Sequence, residues 1–332
     1  MLDEGVVVAE DMDKLPVLEG PKLYKRNGWY YIFAPIGGVE RGSQAVGRAR
    51  DIRGPYEWRT ALEPGTTPIQ GPHQGGWVET PSGQGWFAHF NSTGAFGRIV
   101  YLQPLVWSDD WPVIGRPIAG KDSGQPVASF AMPETGHAPT DDRLQDSDEF
   151  ASPALGLQWS WNHNPLDDAW SLSARPGWLR LAAQPAEHLV TARNTLTQVL
   201  QGPRPAYTTR LDVAGMAEGQ RAGLTLFGVR PSWIGVVRDG GRNRITLASE
   251  GVETAGPELV GRTVELRAEV SEGQSVRYSY SLDGSSFAPL GDPIWLARFS
   301  WWKGSRPALF SFTRGASGTA DFDWFHVDRR EP

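Results

Sequence analysis

Polar and apolar residues alternate one for one through short stretches over most of the chain, as in "GWLRLAA", "AGLTLFGV", "RITLAS", "TVELRAEV" and "VRYSYSL". A period of two sends successive side chains to opposite faces of an extended strand, so these runs predict half-buried β-strands. Stretches in which apolar residues recur at three-and-four spacing long enough for a helix are almost absent, and the expectation is an all-β protein. Gly, Asn, Asp and Pro separate the runs. Asn27-Gly28 and Asp283-Gly284 predict tight hairpins, because both central residues of a type I′ turn need positive φ.

The alternation fails after Gly115, where "RPIAGKDSGQPVASFAMPETGHAPTDDRLQDSDEF" fills with Pro, Gly, Ser and Asp, a linker composition. With 332 residues the chain is long enough for two domains, each with its own core. The expected division is residues 1–118, a linker over 119–146, and residues 147–332. The first part holds an imperfect repeat: "GPKLYKRNGWYYIFAP" and "GPHQGGWVETPSGQGWFAHF" share a Gly-Pro start, a turn and an aromatic strand. Repeats of roughly 40–55 residues, each of about four strands, are propeller blades in sequence form. A closed propeller needs about four blades at least. Residues 1–118 supply about two, which predicts an arc of a ring with unpaired aromatic faces, and hence a partner chain or self-association that completes it.

Composition removes several function classes. The chain has 32 Lys and Arg against 38 Asp and Glu, a net charge of −6, and no stretch that concentrates basic residues for tracking phosphates, so nucleic acid is not an expected partner. There is no cysteine, hence no disulfide framework and no thiolate metal site. The opening "LDEGVVVAEDMDK" matches neither a signal peptide nor a membrane span, and no membrane partner is expected. No phosphate-cradling Gly-rich loop, Gly-x-Ser-x-Gly elbow or His-Glu-x-x-His pair occurs.

The segments "EGPKLYKRNGWYYIFAP", "GGVERGSQAVGRARDIRGPYE", "GPHQGGWVETPSGQGWFAHF" and "GAFGRIVYLQPLVWSDDWPVIG" together resemble the last two blades of glycoside hydrolase family 43. "SDEFASPALGLQWSWNHNP", "ARNTLTQ" and "ADFDWFHVD" resemble the concanavalin-like β-sandwich that follows the propeller in the β-xylosidase and α-L-arabinofuranosidase branches. The resemblance covers nearly the whole chain. It implies a partial five-bladed propeller followed by the sandwich, a carbohydrate substrate such as xylan or arabinoxylan oligosaccharides, and no cofactor for the chemistry. It also implies three channel carboxylates: a general base Asp, a second Asp that tunes and positions, and a general acid Glu in the "EGP" motif.

By position that Glu is Glu19. Its alternative is a solvated carboxylate at a strand end. The two Asp residues belong to blades that precede the motif, and Asp3, Asp11 and Asp13 lie in no family motif, so the expected base is outside this chain. The resemblance also marks His73 as a channel residue, although the local Pro-His-Gln departs from the commoner Gly-His-Ala. Gln74 shares its fate. It further marks Arg98 as a pocket residue steadying substrate hydroxyls or the tuning carboxylate, a role that suits a planar fork of donors; its alternative is a surface Arg at a strand end. Trp77, Trp86, Phe87 and Phe96 are expected mostly in cores.

In the sandwich, the crowding of Trp161 and His163 in "WSWNHNP" suits either a sugar-binding loop that closes over the pocket or the cap of a β-bulge. Asp321 and Asp323 alternate with Phe322 and Trp324. With Asp148 and Glu149 they suit an all-oxygen Ca²⁺ site, with Asp148 and Asp323 as its principal ligands.

Overall fold

The computed structural model describes residues 5–137 and 146–330. Asp3 and the later part of the expected linker, residues 138–145, lie outside the described residues. Within them the chain is all-β, with strands and three short 3-10 turns. It divides into two compact units, Met1–Thr93 with Arg98–Asp141, and Gly94–Gly97 with Asp142–Pro332.

The first unit is built from two blade-like sheets. Strands β1 (Lys22–Arg26), β2 (Trp29–Ile36), β3 (Ser43–Ala49) and β4 (Glu57–Leu62) form one antiparallel meander. Strands β5 (His73–Glu79), β6 (Gly85–Ser92), β7 (Arg98–Ser108) and β8 (Trp111–Ile114) form the other. Two short strands, β9 (Arg116–Pro117) and β10 (Gly124–Gln125), return to extend the edge of the first sheet next to β4. Arg26 pairs with Trp29 across Asn27 (φ +48°) and Gly28 (φ +73°), so the Asn-Gly hairpin forms as expected.

The alternation decides what packs between the sheets. Tyr31, Phe33, Val46 and Leu62 of the first sheet meet Phe87, Leu105, Trp111 and Ile114 of the second, all buried. The β7–β8 turn latches the two together: Asp110 accepts the Trp29 indole N–H (3.0 Å) on its carboxylate and the Tyr31 hydroxyl (2.8 Å) on its carbonyl. The opposite faces carry apolar residues too. On β7, Val100, Leu102 and Val106 are 71, 43 and 57% exposed. On the far side of the first sheet, Leu23, Ile32 and Trp58 line an open apolar groove of about 440 Å³ with Val7 and Val8. Exposed stripes of this kind associate. The purified chain is therefore expected to elute, by light scattering, above its 36.5 kDa monomer mass, and a clean monomer at micromolar concentration would contradict this.

The second unit is a sandwich of two eight-stranded sheets. In the strand Thr263–Val270, Val264, Leu266, Ala268 and Val270 point inward while Thr263, Glu265, Arg267 and Glu269 do not, as the alternation predicts. These residues meet Leu224, Ile234, Leu309, Phe322 and Phe325 in one continuous core. The other sheet departs from the half-buried expectation: Gln220–Phe227, Ser232–Asp239 and Arg306–Thr313 are buried on both faces over most of their length. Its outer face carries Phe227, Trp233, Phe310 and Phe312 beneath a covering segment that includes Leu189 and Ala192.

The expected hairpin at Asp283-Gly284 takes another form. Gly284 is left-handed (φ +73°), but Asp283 is not, and strands 275–281 and 288–289 are joined by the longer loop 282–287. The Asp283 carboxylate accepts the Ser285 and Ser286 N–H groups (2.9 and 2.8 Å), an Asx-type turn that replaces the two-residue geometry.

Candidate active site

Glu19 stands at the entry to β1, its own N–H donating to the Pro35 carbonyl (3.3 Å). Gly20 follows in the left-handed region (φ +52°), and the space where a side chain would sit is filled by Gln74, whose Cγ is 3.0 Å from an ideal Cβ position. Gly20 is thus required twice, for its φ and for the approach of Gln74. Pro21 then sets the chain into the strand.

Gln74 is itself left-handed (φ +47°) and lies in an irregularity of the β5–β6 ladder, between the pairs His73–Phe90 and Gly76–Ala88. Bulges of this kind re-aim side chains. Gly75 lies flat against Phe87, where a Cβ would come within 1.9 Å of the ring. The result is that His73, fully buried, places Nε2 2.5 Å from Glu19 Oε1, while the Glu19 side chain keeps 43% of its surface exposed. Lys22 Nζ ties the arrangement down by donating to the Gln74 carbonyl (3.1 Å).

Arg98, at the start of β7, completes the cluster. Its guanidinium lies 4.4 Å from the centre of the Phe90 ring, and the edge of that ring meets His73, with centroids 5.7 Å apart. Its charge acts on both Glu19 and His73. Burial pushes the His73 imidazole below its usual pKa. The hydrogen bond and charge of Glu19 pull it up, Arg98 pushes it further down, and the net shift is downward. His73 is therefore neutral near pH 7 and bonds to Glu19 without contributing a full cation.

Four of the residues singled out from the sequence, Glu19, His73, Gln74 and Arg98, thus converge. Lys22 and Phe90 join them. Phe90 was open to sequence reasoning only through its register opposite His73, and Lys22 only through its place three residues after Glu19. Trp77, Trp86 and Phe87 are packing residues: Trp77 meets Tyr24 and Trp107 edge-on, and Trp86 and Phe87 are buried. Phe96 packs against the sandwich core.

Trp161 and His163 are engaged locally within the sandwich unit. Trp161 lies against Trp170 (5.3 Å between centroids), and His163 Nε2 is 3.0 Å from the Val190 carbonyl. The expected calcium site is not assembled. Asp148 accepts the Phe150 N–H (2.8 Å) on one oxygen and the Trp159 indole N–H (2.8 Å) on the other, and Asp323 pairs with Arg210 at 3.6 Å. Asp321 is held in a two-pronged bond by Arg180 (2.7 and 2.8 Å), and Arg175 bridges it to the buried Asp212. Guanidinium groups supply the positive charge that a cation would have brought, and among the described residues no cluster of three or more His, Asp or Glu could hold a metal ion. Saturating EDTA is accordingly expected to leave the thermal midpoint of the sandwich unchanged, and a drop of several degrees reversed by Ca²⁺ would refute this assignment.

Residues 2–112 match the model of glycosyl hydrolases family 43, and residues 147–328 match that of the β-xylosidase C-terminal concanavalin A-like domain. A putative β-xylosidase of Xylanibacter ruminicola is 40% identical over 92% of this chain and 56% of its own length. A β-xylosidase of Formosa agariphila is 34% identical over the whole of this chain and 62% of its own length. Among solved structures, a bifunctional GH43-CE protein of Bacteroides eggerthii superposes with a TM-score of 0.83 at 33% identity, covering 95% of this chain and 41% of the other. The chain thus spans about three-fifths of the length of these two curated relatives. With both family models matched in order, propeller arc first and sandwich second, the chain belongs to glycoside hydrolase family 43.

Proposed function

We propose that this chain is the acid-bearing part of a glycosidase that removes terminal xylose or arabinose from plant-type glycans with inversion, with Glu19 as general acid. The observation that carries the reading is the pairing of a half-exposed Glu19 carboxyl with a fully buried, neutral His73. With the hydrogen on Nε2, the imidazole donates to Oε1. Oε2 is then the oxygen left to pass a proton to the leaving glycosidic oxygen. Arg98 and Gln74 contribute donors for sugar hydroxyls beside it.

Inversion requires a second carboxylate roughly 6.5–9.5 Å from the acid, leaving room for the attacking water. Asp11 is committed elsewhere, accepting the Lys14 N–H (3.0 Å) and pairing with Lys14 Nζ (3.6 Å). The base in this reading is an Asp outside this chain, on the blades that complete the ring. The test is hydrolysis of nitrophenyl xyloside and arabinofuranoside by the chain, alone and co-expressed with the first three blades of a relative. Turnover that depends on Glu19, with the anomeric configuration inverted in the first-formed sugar, supports the reading. Binding of xylan with no turnover in either preparation would instead make the chain a carbohydrate-binding fragment.

A further inference from the structure

β5 is the edge strand of its four-stranded sheet, so the backbone groups on its free side have no neighbouring strand to pair with. Side chains of β1 supply partners instead. Tyr24 Oη accepts the Trp77 N–H (3.0 Å), and Lys22 Nζ donates to the Gln74 carbonyl (3.1 Å). Lys22 and Tyr24 are two residues apart, hence on one face of β1, and Gly76 leaves them room: an ideal Cβ there would sit 3.3 Å from Tyr24 Oη and 3.4 Å from Lys22 Cδ.

The two contacts differ in what they hold. Trp77 is a packing residue, whereas Gln74 directly follows His73. The same Lys22 ammonium lies 3.5 Å from the carbonyl oxygen of Gly20, which directly follows Glu19. One cation thus spans the two backbone segments that carry the carboxyl and its imidazole, 54 positions apart in the chain. No carboxylate pairs with it among the described residues, so its charge is directed to these two carbonyls. Both segments need a restraint of this kind. Gly20 and Gln74 are left-handed (φ +52° and +47°), and Gln74 lies in the irregularity of the β5–β6 ladder, a conformation that a residue with a side chain keeps only when its surroundings hold it.

We propose that Lys22 is a positioning residue for the acid: by clasping the Gln74 and Gly20 carbonyls it holds Glu19 Oε1 against His73 Nε2. This role rests on the reading of Glu19 as general acid, and the test separates the two. The first measurement needs no turnover. In the full chain, isotope-labelled at histidine and tryptophan, NMR follows exchange with water of the His73 imidazole N–H, assigned by its disappearance in His73→Phe. The control is the Trp29 indole N–H, which bonds to Asp110 in the same unit. Lys22→Met keeps an apolar stem and removes the donor. A hydrogen bond from a charged group is worth a factor of roughly ten or more in an equilibrium, so Lys22→Met is expected to speed exchange at His73 about tenfold or more and to leave Trp29 unchanged. Lys22→Arg, which keeps a cationic donor, is expected to restore slow exchange. Lys22→Gln, shorter and neutral, is the second variant should Lys22→Met disturb folding.

The second measurement uses the chain co-expressed with the first three blades of a relative. Lys22→Met is expected to lower kcat/KM on xylobiose about tenfold, and to lower it no further in the Glu19→Gln background, because it acts through that carboxyl. Unchanged exchange at His73, equal acceleration at His73 and Trp29, or the same loss of kcat/KM in both backgrounds would each overturn the proposal. If Glu19→Gln leaves turnover unchanged while Lys22→Met still frees the His73 proton selectively, the acid assignment fails and the clasp on the Glu19–His73 pair stands.

Discussion

Co-expressed with the first three blades of a relative, the chain carrying Glu19→Gln is expected to show a kcat/KM on xylobiose lower by about 10²–10⁴, the usual worth of a positioned general acid. The substitution keeps the volume of the side chain and lets an amide oxygen accept from His73 Nε2 as Oε1 does, so the fold and the thermal midpoint are expected to stay as they are. What disappears is the proton. Substrate choice then separates an acid from a merely structural carboxylate: nitrophenolate departs without full protonation, so the loss on nitrophenyl xyloside is expected to be much smaller than on xylobiose. A structural role would lower both substrates equally, and an uninvolved Glu19 would lower neither. Equal losses, or none, would remove Glu19 from the chemistry.

The second large effect concerns acid stability and a histidine that sequence reading passed over. His89 on β6 is 2% exposed, its ring lying parallel to Phe87 and Tyr101 at 6.1 and 5.8 Å. Its Nδ1 is 3.2 Å from the Phe90 carbonyl, and its Nε2 is buried without a hydrogen-bond partner among the described residues. Burial, only partly offset by the Phe90 carbonyl, pushes its pKa down from 6.5 to about 4. The unfolded chain therefore takes up this proton near pH 6.5 while the folded one resists until about pH 4. Stability is fully present above the higher value and is lost as pH falls between the two, by about 3 kcal/mol in all. His73, with its pKa also lowered, acts in the same direction.

His89→Phe preserves an aromatic ring at the position and removes the proton site. Its thermal midpoint is expected to match wild type or fall slightly at pH 7 and to exceed it by roughly 10 °C at pH 4. Parallel loss of stability in both proteins from pH 7 to 4 would show that His89 is not the acid-sensitive group.

What could be read from the residues alone follows from local physics. Period-two patterning marked the strands, and in Thr263–Val270 it also marked the buried face, because the pleat sends alternate side chains to opposite sides. Asn27-Gly28 marked its hairpin because the turn's backbone angles are a property of those two residues. Glu19, His73, Gln74 and Arg98 were all named from motifs, but their convergence could not be: Glu19 and His73 are 54 positions apart and meet only when two sheets pack.

Other features depended on partners distant in the chain. Whether Asp321 would face a metal ion or a guanidinium was decided by Arg180 and Arg175, 141 and 146 positions away. Burial of both faces of the Arg306–Thr313 strand required a covering segment that its own pattern does not encode. The Asp283 turn followed neighbouring Ser N–H groups rather than its dipeptide.

The sequence by itself determined an all-β chain, the repeat of two sheets at its front and the break before the second domain, since each resides in residues near one another along the chain. The tertiary structure alone decided that the buried His73 imidazole meets Glu19, and that arginines stand where calcium was expected. Those depend on desolvation and on charges brought together across sheets, and neither exists until the chain has folded.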